Sequence, residues 1–146
     1  MHKQKAFHYL ERAECFLKLM KLGRNQEIIE DYLGEKMIDY GAGAALLAVH
    51  SGISAADAIL VHLTGERSTA QDHKMAVEAL KKACSKNRFD INGITHFSWL
   101  VSKKDLFAYG DMRVEVSAIQ LAHDHAERFL AWLYHTIPGL NAEDRP

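Results

Sequence analysis

The stretch DYGAGAALLAVHSGISAADAILVHL, residues 39–63, decides the fold class. It holds no proline and no strand-like alternation of polar and apolar residues, so it reads as one long helix. Gly41, Ala42, Gly43, Ala44, Ala45, Ala48, Ser51, Gly52, Ala55 and Ala56 make it rich in small side chains. Small side chains let a neighbouring backbone approach closely. Such a helix is expected either to pack tightly inside a bundle or to form a subunit interface. Gly65 ends it.

The flanking segments follow the same period. Phe7, Leu10, Ala13, Phe16 or Leu17, and Met20 recur at three- and four-residue steps, which predicts a first helix over His2 to Leu22 stopped by Gly23. Arg24 to Lys36 reads as a shorter helix, with Ile28, Ile29, Tyr32 and Leu33 inward. Ser68-Thr69-Ala70-Gln71 has the form of a capping box, opening a helix that turns Ala76, Val77, Leu80, Ala83 and Cys84 to the core. Its far end is basic, which suits the negative end of the helix dipole. After the turn Asp90-Ile91-Asn92-Gly93 comes a helix carrying Ile94, Phe97, Leu100 and Val101. Lys103 to Arg113 lacks periodicity and reads as a break. The last helix spans Val114 to His135, with Val116, Ile119, His123, Ala126, Leu130 and Leu133 on one face, and Ile137-Pro138-Gly139 stops it.

These elements predict an all-α fold, an up-and-down bundle of about five helices. The chain has 146 residues, enough for one domain over 1–140, followed by a polar, frayed tail over 141–146. Its net charge is −1, so no global basic field draws it to nucleic acid. Glu11, Arg12, Glu14 and Lys18 interrupt any apolar run after the basic start, and no uninterrupted apolar run approaches 18 residues. Neither a signal peptide, a membrane span nor a membrane partner is expected. Cys15 and Cys84 both fall in helical patterns and read as buried thiols of a cytoplasmic protein, with a disulfide between them left open.

Chemistry-bearing residues are scattered. His50, Ser54 and Asp57 share a helix face, which makes a His–Asp pair geometrically feasible. His73 opens the next helix, and His123 lies on an apolar face of the last. A metal-dependent bundle enzyme would use His50, Asp57, His73 and His123. However, neither H-x-x-x-H nor E-x-x-H occurs, and hydrogen-bonded structural histidines are the expectation. No C-x-x-C, dinucleotide fingerprint, P-loop or nucleophile elbow occurs, so no metal or cofactor is expected. Lys103-Lys104-Asp105-Leu106-Phe107-Ala108-Tyr109 joins cations, a carboxylate and a phenol at a helix break. Cations beside aromatics can hold a phosphate and stack a base. A solvated loop with Tyr109 packed down is the plainer expectation.

Three segments together resemble the HEPN superfamily of helical domains found in prokaryotic toxins and nucleotide-associated proteins. They are His50-Ser51-Gly52-Ile53-Ser54-Ala55-Ala56-Asp57-Ala58, then Gly65 with Gln71-Asp72-His73 and Ala76 to Leu80, then Leu100 to Tyr109 with Ala126-Glu127-Arg128-Phe129-Leu130. The resemblance implies a homodimer, RNA or a nucleotide as ligand, and a nucleotidyltransferase-like partner protein. Active members are metal-independent ribonucleases with an R-x(4–6)-H motif near the start of the last long helix. Here that place begins with Lys103 and Lys104, and no histidine follows at the required spacing. The resemblance therefore implies a binding module without the usual ribonuclease motif. Its alternative is a divergent ribonuclease toxin, with Lys104 in place of the arginine and Tyr109 or His73 carrying the proton. Arg67…His73 and Arg128…His135 also meet the spacing, but a chain with nine histidines meets it by chance.

Overall fold

The computed structural model describes residues 2–24, 40–68, 72–110 and 114–146. Among these the regular structure is helical: α1 (His2–Arg24), α2 (Tyr40–Thr64), α3 (His73–Lys86), α4 (Ile94–Ser102), α5 (Lys104–Tyr109) and α6 (Val116–Thr136), with a 3-10 turn at Ala142–Asp144. The bundle is all-α, as the periodicity predicts. The expected helix over Arg24 to Lys36 lies almost wholly outside the described residues.

Helix α2 is the hub, touching α1, α3, α4, α5 and α6. Its small residues explain how one helix meets five. Ala44, Ala45, Ala48, Ala55, Ala56 and Ala58 are all buried. Against α1 the approach is close enough for the Ser51 hydroxyl to donate to the Ala13 carbonyl at 2.8 Å. Both residues are fully buried, so this bond satisfies a hydroxyl that would otherwise be stranded. On another side, Gly52 makes room for α4: a Cβ there would lie 2.8 Å from Leu100 Cδ1. Contrary to the expectation from the sequence, Gly41–Thr64 is long and apolar enough to cross a membrane, by length and composition alone. However, 72% of its most apolar window is buried by the other helices, as in the core helix of a helical bundle.

Several boundaries differ from the sequence expectation. Helix α1 runs through Gly23 to Arg24. Helix α3 starts at His73, where Asp72 accepts from the Lys74 amide at 3.0 Å, so the cap is Asp72 rather than Ser68. The expected break after Lys103 contains α5, anchored by one buried residue, Phe107, while Leu106 and Tyr109 face out. A six-residue helix with one inward side chain shows no period, which is why the sequence reads as a loop. Val116, expected inward on α6, is 81% exposed. Cys84 is buried, and burial pushes its thiol up to about 11; Cys15 is exposed, and both are free.

The polar tail is held in place. Leu140 is fully buried, Pro138 Oxygen faces His62 Nε2 at 2.8 Å, and Arg145 pairs with Glu14, which also accepts from the Tyr134 hydroxyl at 2.9 Å. Within the tail expected to fray, Arg145 is thus tied to α1.

Helices α4 and α6 meet through stacked rings: Phe97 on Phe129 at 5.4 Å and Phe129 on Trp132 at 5.6 Å. Gly93, the cap of α4, lies directly under the Trp132 indole, and a Cβ there would enter the ring. Overpacking of this kind costs about 1–3 kcal/mol. Gly93→Ala should therefore lower the thermal midpoint by several degrees. An unchanged melting curve would show that the α4–α6 contact is looser than this packing.

Candidate functional site

One face of α2 lines a recess among the described residues. Ile53, Ala56, Asp57 and Leu60 follow the i, i+3, i+4, i+7 rule and form the floor of a cavity of about 550 Å³. Phe97 and Val101, one turn apart on α4, make an apolar wall, and His73 and Ala76 of α3 stand opposite. Lys104, the first residue of α5, reaches the rim. Arg67 and Ser68 complete it. They are brought back over α2 by a tight reversal at Gly65, whose φ of 85° suits glycine and whose amide bonds the Val61 carbonyl at 2.9 Å. The Thr64 hydroxyl steadies the reversal by donating to the Leu60 carbonyl at 2.7 Å.

The cavity is cationic at its rim and apolar at its base. Asp57 is the only Asp, Glu, Lys or Arg in the whole of α2. Burial pushes its carboxyl up to about 6, against the lowering pull of Arg67 and then Arg12. Adjoining recesses extend the site on both sides. One shares His73 and Val101 and brings Lys74, Lys81 and Ser102 together with Asp72 and Glu78, the latter 3.6 Å from Lys81 Nζ; the other shares Arg67 and Ser68 and brings Lys82 and Lys86 together with Glu66.

The structure brings together three of the residues singled out in the sequence: Asp57, His73 and Lys104. It places the others elsewhere. His50 is half-buried one turn before the cavity, its ring 5.6 Å from Phe16, and burial first and Lys104 second lower its pKa. Lys103 turns away to lie 5.8 Å over the Trp99 ring. Asp105 is exposed on α5, and Tyr109 is 83% exposed at its end, neither lining the cavity. His123 is buried with Nε2 2.9 Å from Glu127 Oε1, on the side where Lys21 meets the same carboxylate at 3.2 Å. Among the described residues no three His, Cys, Asp or Glu side chains gather to hold a metal, so the set His50, Asp57, His73 and His123 is not assembled. Arg67 and the apolar wall carried no weight in the sequence. The R-x(4–6)-H spacing of Arg67 and His73 was the available signal, and the Gly65 reversal gives it a place on the cavity.

No protein-family model matches the chain, nor does any curated protein or solved structure. The geometry of the cavity is thus what bears on function.

Asp57 links the site to stability. An unfolded aspartate titrates near 4. In the fold the raised pKa means that the protonated form is preferred, so stability from this group is complete below about pH 4 and is lost as pH rises through about 6. Asparagine mimics the neutral acid at every pH. Asp57→Asn should stabilise the protein at pH 7.5 by about 1 kcal/mol once partial exposure is discounted, and leave it nearly unchanged at pH 4. Thermal melts at the two pH values check this. Equal melting points at pH 7.5 would place the carboxylate in full solvent.

Proposed function

We propose that this cavity binds a phosphate-bearing ligand, a nucleotide or a strand of nucleic acid. The observation that supports it is the convergence of Arg67, Lys104 and His73 on one rim, above a floor that is apolar but for Asp57. Two cations facing a single recess suit an anion with several oxygens. Arginine supplies a bidentate fork and lysine a point charge. The Phe97, Val101 and Ile53 surfaces suit the flat apolar face of a base. Asp57, placed among the cations, sets the polarity of the floor and would hydrogen-bond a ligand hydroxyl or amine. Lys74 on one side, and Lys82 and Lys86 on the other, suit further phosphates of a longer strand.

A second reading has a specific observation in its favour, namely Asp57 with its carboxyl raised to about 6 on the same cavity as His73. Two titratable groups beside two cations are the parts needed for metal-independent phosphodiester cleavage. His73 would accept the proton of a 2′-hydroxyl, Asp57 would return one to the leaving oxygen, and Arg67 and Lys104 would bear the charge between. This version of the divergent ribonuclease moves the proton carrier from Tyr109 to His73 and Asp57. The HEPN relationship belongs to the same proposal. For the homodimer that goes with it, the exposed Tyr109 and Val116 favour the α5–α6 end as the contact.

Calorimetric titration with adenosine 5′-monophosphate and with adenosine separates the contributions. The monophosphate should bind and the nucleoside bind far more weakly. Arg67→Ala and Lys104→Ala should each weaken binding roughly tenfold or more, and Tyr109→Phe should not. Equal affinity in all four proteins would rule the cavity out. For the second reading, the chelator-treated protein should cleave a mixed RNA pool and lose that activity in His73→Ala. Intact RNA at high protein concentration leaves the binding reading alone.

A further inference from the structure

On the far side of α4, away from the cavity, two histidines converge. His96 Nδ1 of α4 and His125 Nδ1 of α6 are 2.9 Å apart, with ring centroids separated by 5.2 Å. Trp99 stacks on the His125 ring at 4.4 Å and 23°, which fixes that imidazole's plane. Lys103 lies over the outer side of the same indole. Both histidines are partly buried, so the pair is neither lost in the core nor splayed in solvent.

We propose that His96 and His125 form a chelating site for a divalent transition metal, copper(II) above all. The distance carries the inference. Two nitrogen ligands with bonds of about 2.0–2.1 Å, set at a right angle, lie about 2.9 Å apart. That is the cis edge of a tetragonal copper or nickel complex, and its length equals the observed Nδ1 separation, so an ion can replace the hydrogen bond between the rings once each lone pair is turned toward it. Without metal, one ring must donate its Nδ1 hydrogen to the other. With metal, both rings carry hydrogen on Nε2 and turn both Nδ1 lone pairs to the ion. One proton moves from Nδ1 to Nε2 and none is released. Among the described residues no third His, Cys, Asp or Glu side chain joins the pair, so the protein would supply two ligands and solvent the rest.

Burial lowers the pKa of both rings; Arg128 also lowers that of His96, and His96 and Arg128 that of His125 against the raising effect of Asp124. The Arg128 charge beside both rings weakens the hold on a cation. Copper forms the strongest imidazole complexes of the divalent first-row ions, so it is the ion expected to bind measurably despite that charge. A metal held by α4 and α6 would also staple the two helices.

The chain has two tryptophans, so Trp132→Phe leaves Trp99 as the sole indole, in contact with the site. Copper(II) titrated into this variant in a non-coordinating buffer should quench Trp99 fluorescence and saturate at one equivalent. His96→Ala and His125→Ala, made in the same background, should each weaken the quenching tenfold or more, while His135→Ala should not. Electron paramagnetic resonance of copper-loaded wild type provides a readout independent of any variant's folding. It should show coupling to two imidazole nitrogens that drops to one in either histidine variant. Quenching and spectra unchanged by both substitutions would overturn the proposal, as would an unquenched Trp99 at stoichiometric copper.

Discussion

The rest of the structure depends on the close approach of α1 and α2. At their crossing, Ala13 and Ser51 face one another, and the serine hydroxyl bonds the alanine carbonyl. Any large side chain at either place would push the helices apart. Because α2 is small-sided here, it can also take Leu100 of α4 over Gly52. A helix so thin is surrounded on nearly all sides. The strip from Ile53 to Leu60 lies at the base of the cavity among the described residues. The packing rule that builds the core thus also positions the candidate site.

That strip also carries the only Asp, Glu, Lys or Arg of α2. An aspartate in an otherwise apolar core helix opposes folding while it is ionised, and its neighbours Arg67 and Arg12 only partly offset the cost. A group held in this state is suited to exchange a proton near neutral pH or to bond a polar ligand atom. The cations around it come from three separate segments: the reversal after α2, the start of α5, and, through the adjoining recesses, α3. Their convergence is a property of the fold, since the chain as a whole is close to neutral.

Much of the fold was legible in the sequence because it depends on local period and on small residues. The α1, α3 and α4 cores, the Gly65 stop and the buried face of α2 all follow from spacing. Features set by one contact were not legible. Phe107 alone anchors α5, Val116 continues the α6 period yet faces outward, and the tail is held by the distant Glu14. The site was half legible. Asp57 and His73 stand out as polar residues in helical context, and Lys104 as one of two cations in a stretch read as a break. Arg67 gains its place only through the positive φ of Gly65, and the His96–His125 convergence depends on the α4–α6 packing, with no spacing rule to signal it.

A ligand seated on the Ile53–Leu60 strip of α2 must perturb the side chains around it. Methyl-detected NMR of the wild-type protein during titration with adenosine 5′-monophosphate tests it most directly. The account requires saturable shifts concentrated on Ile53, Ala56, Leu60, Ala76 and Val101, the methyl-bearing residues of the cavity. Shifts confined to outward methyls such as Leu106 and Leu121, or none at saturating nucleotide, would contradict it.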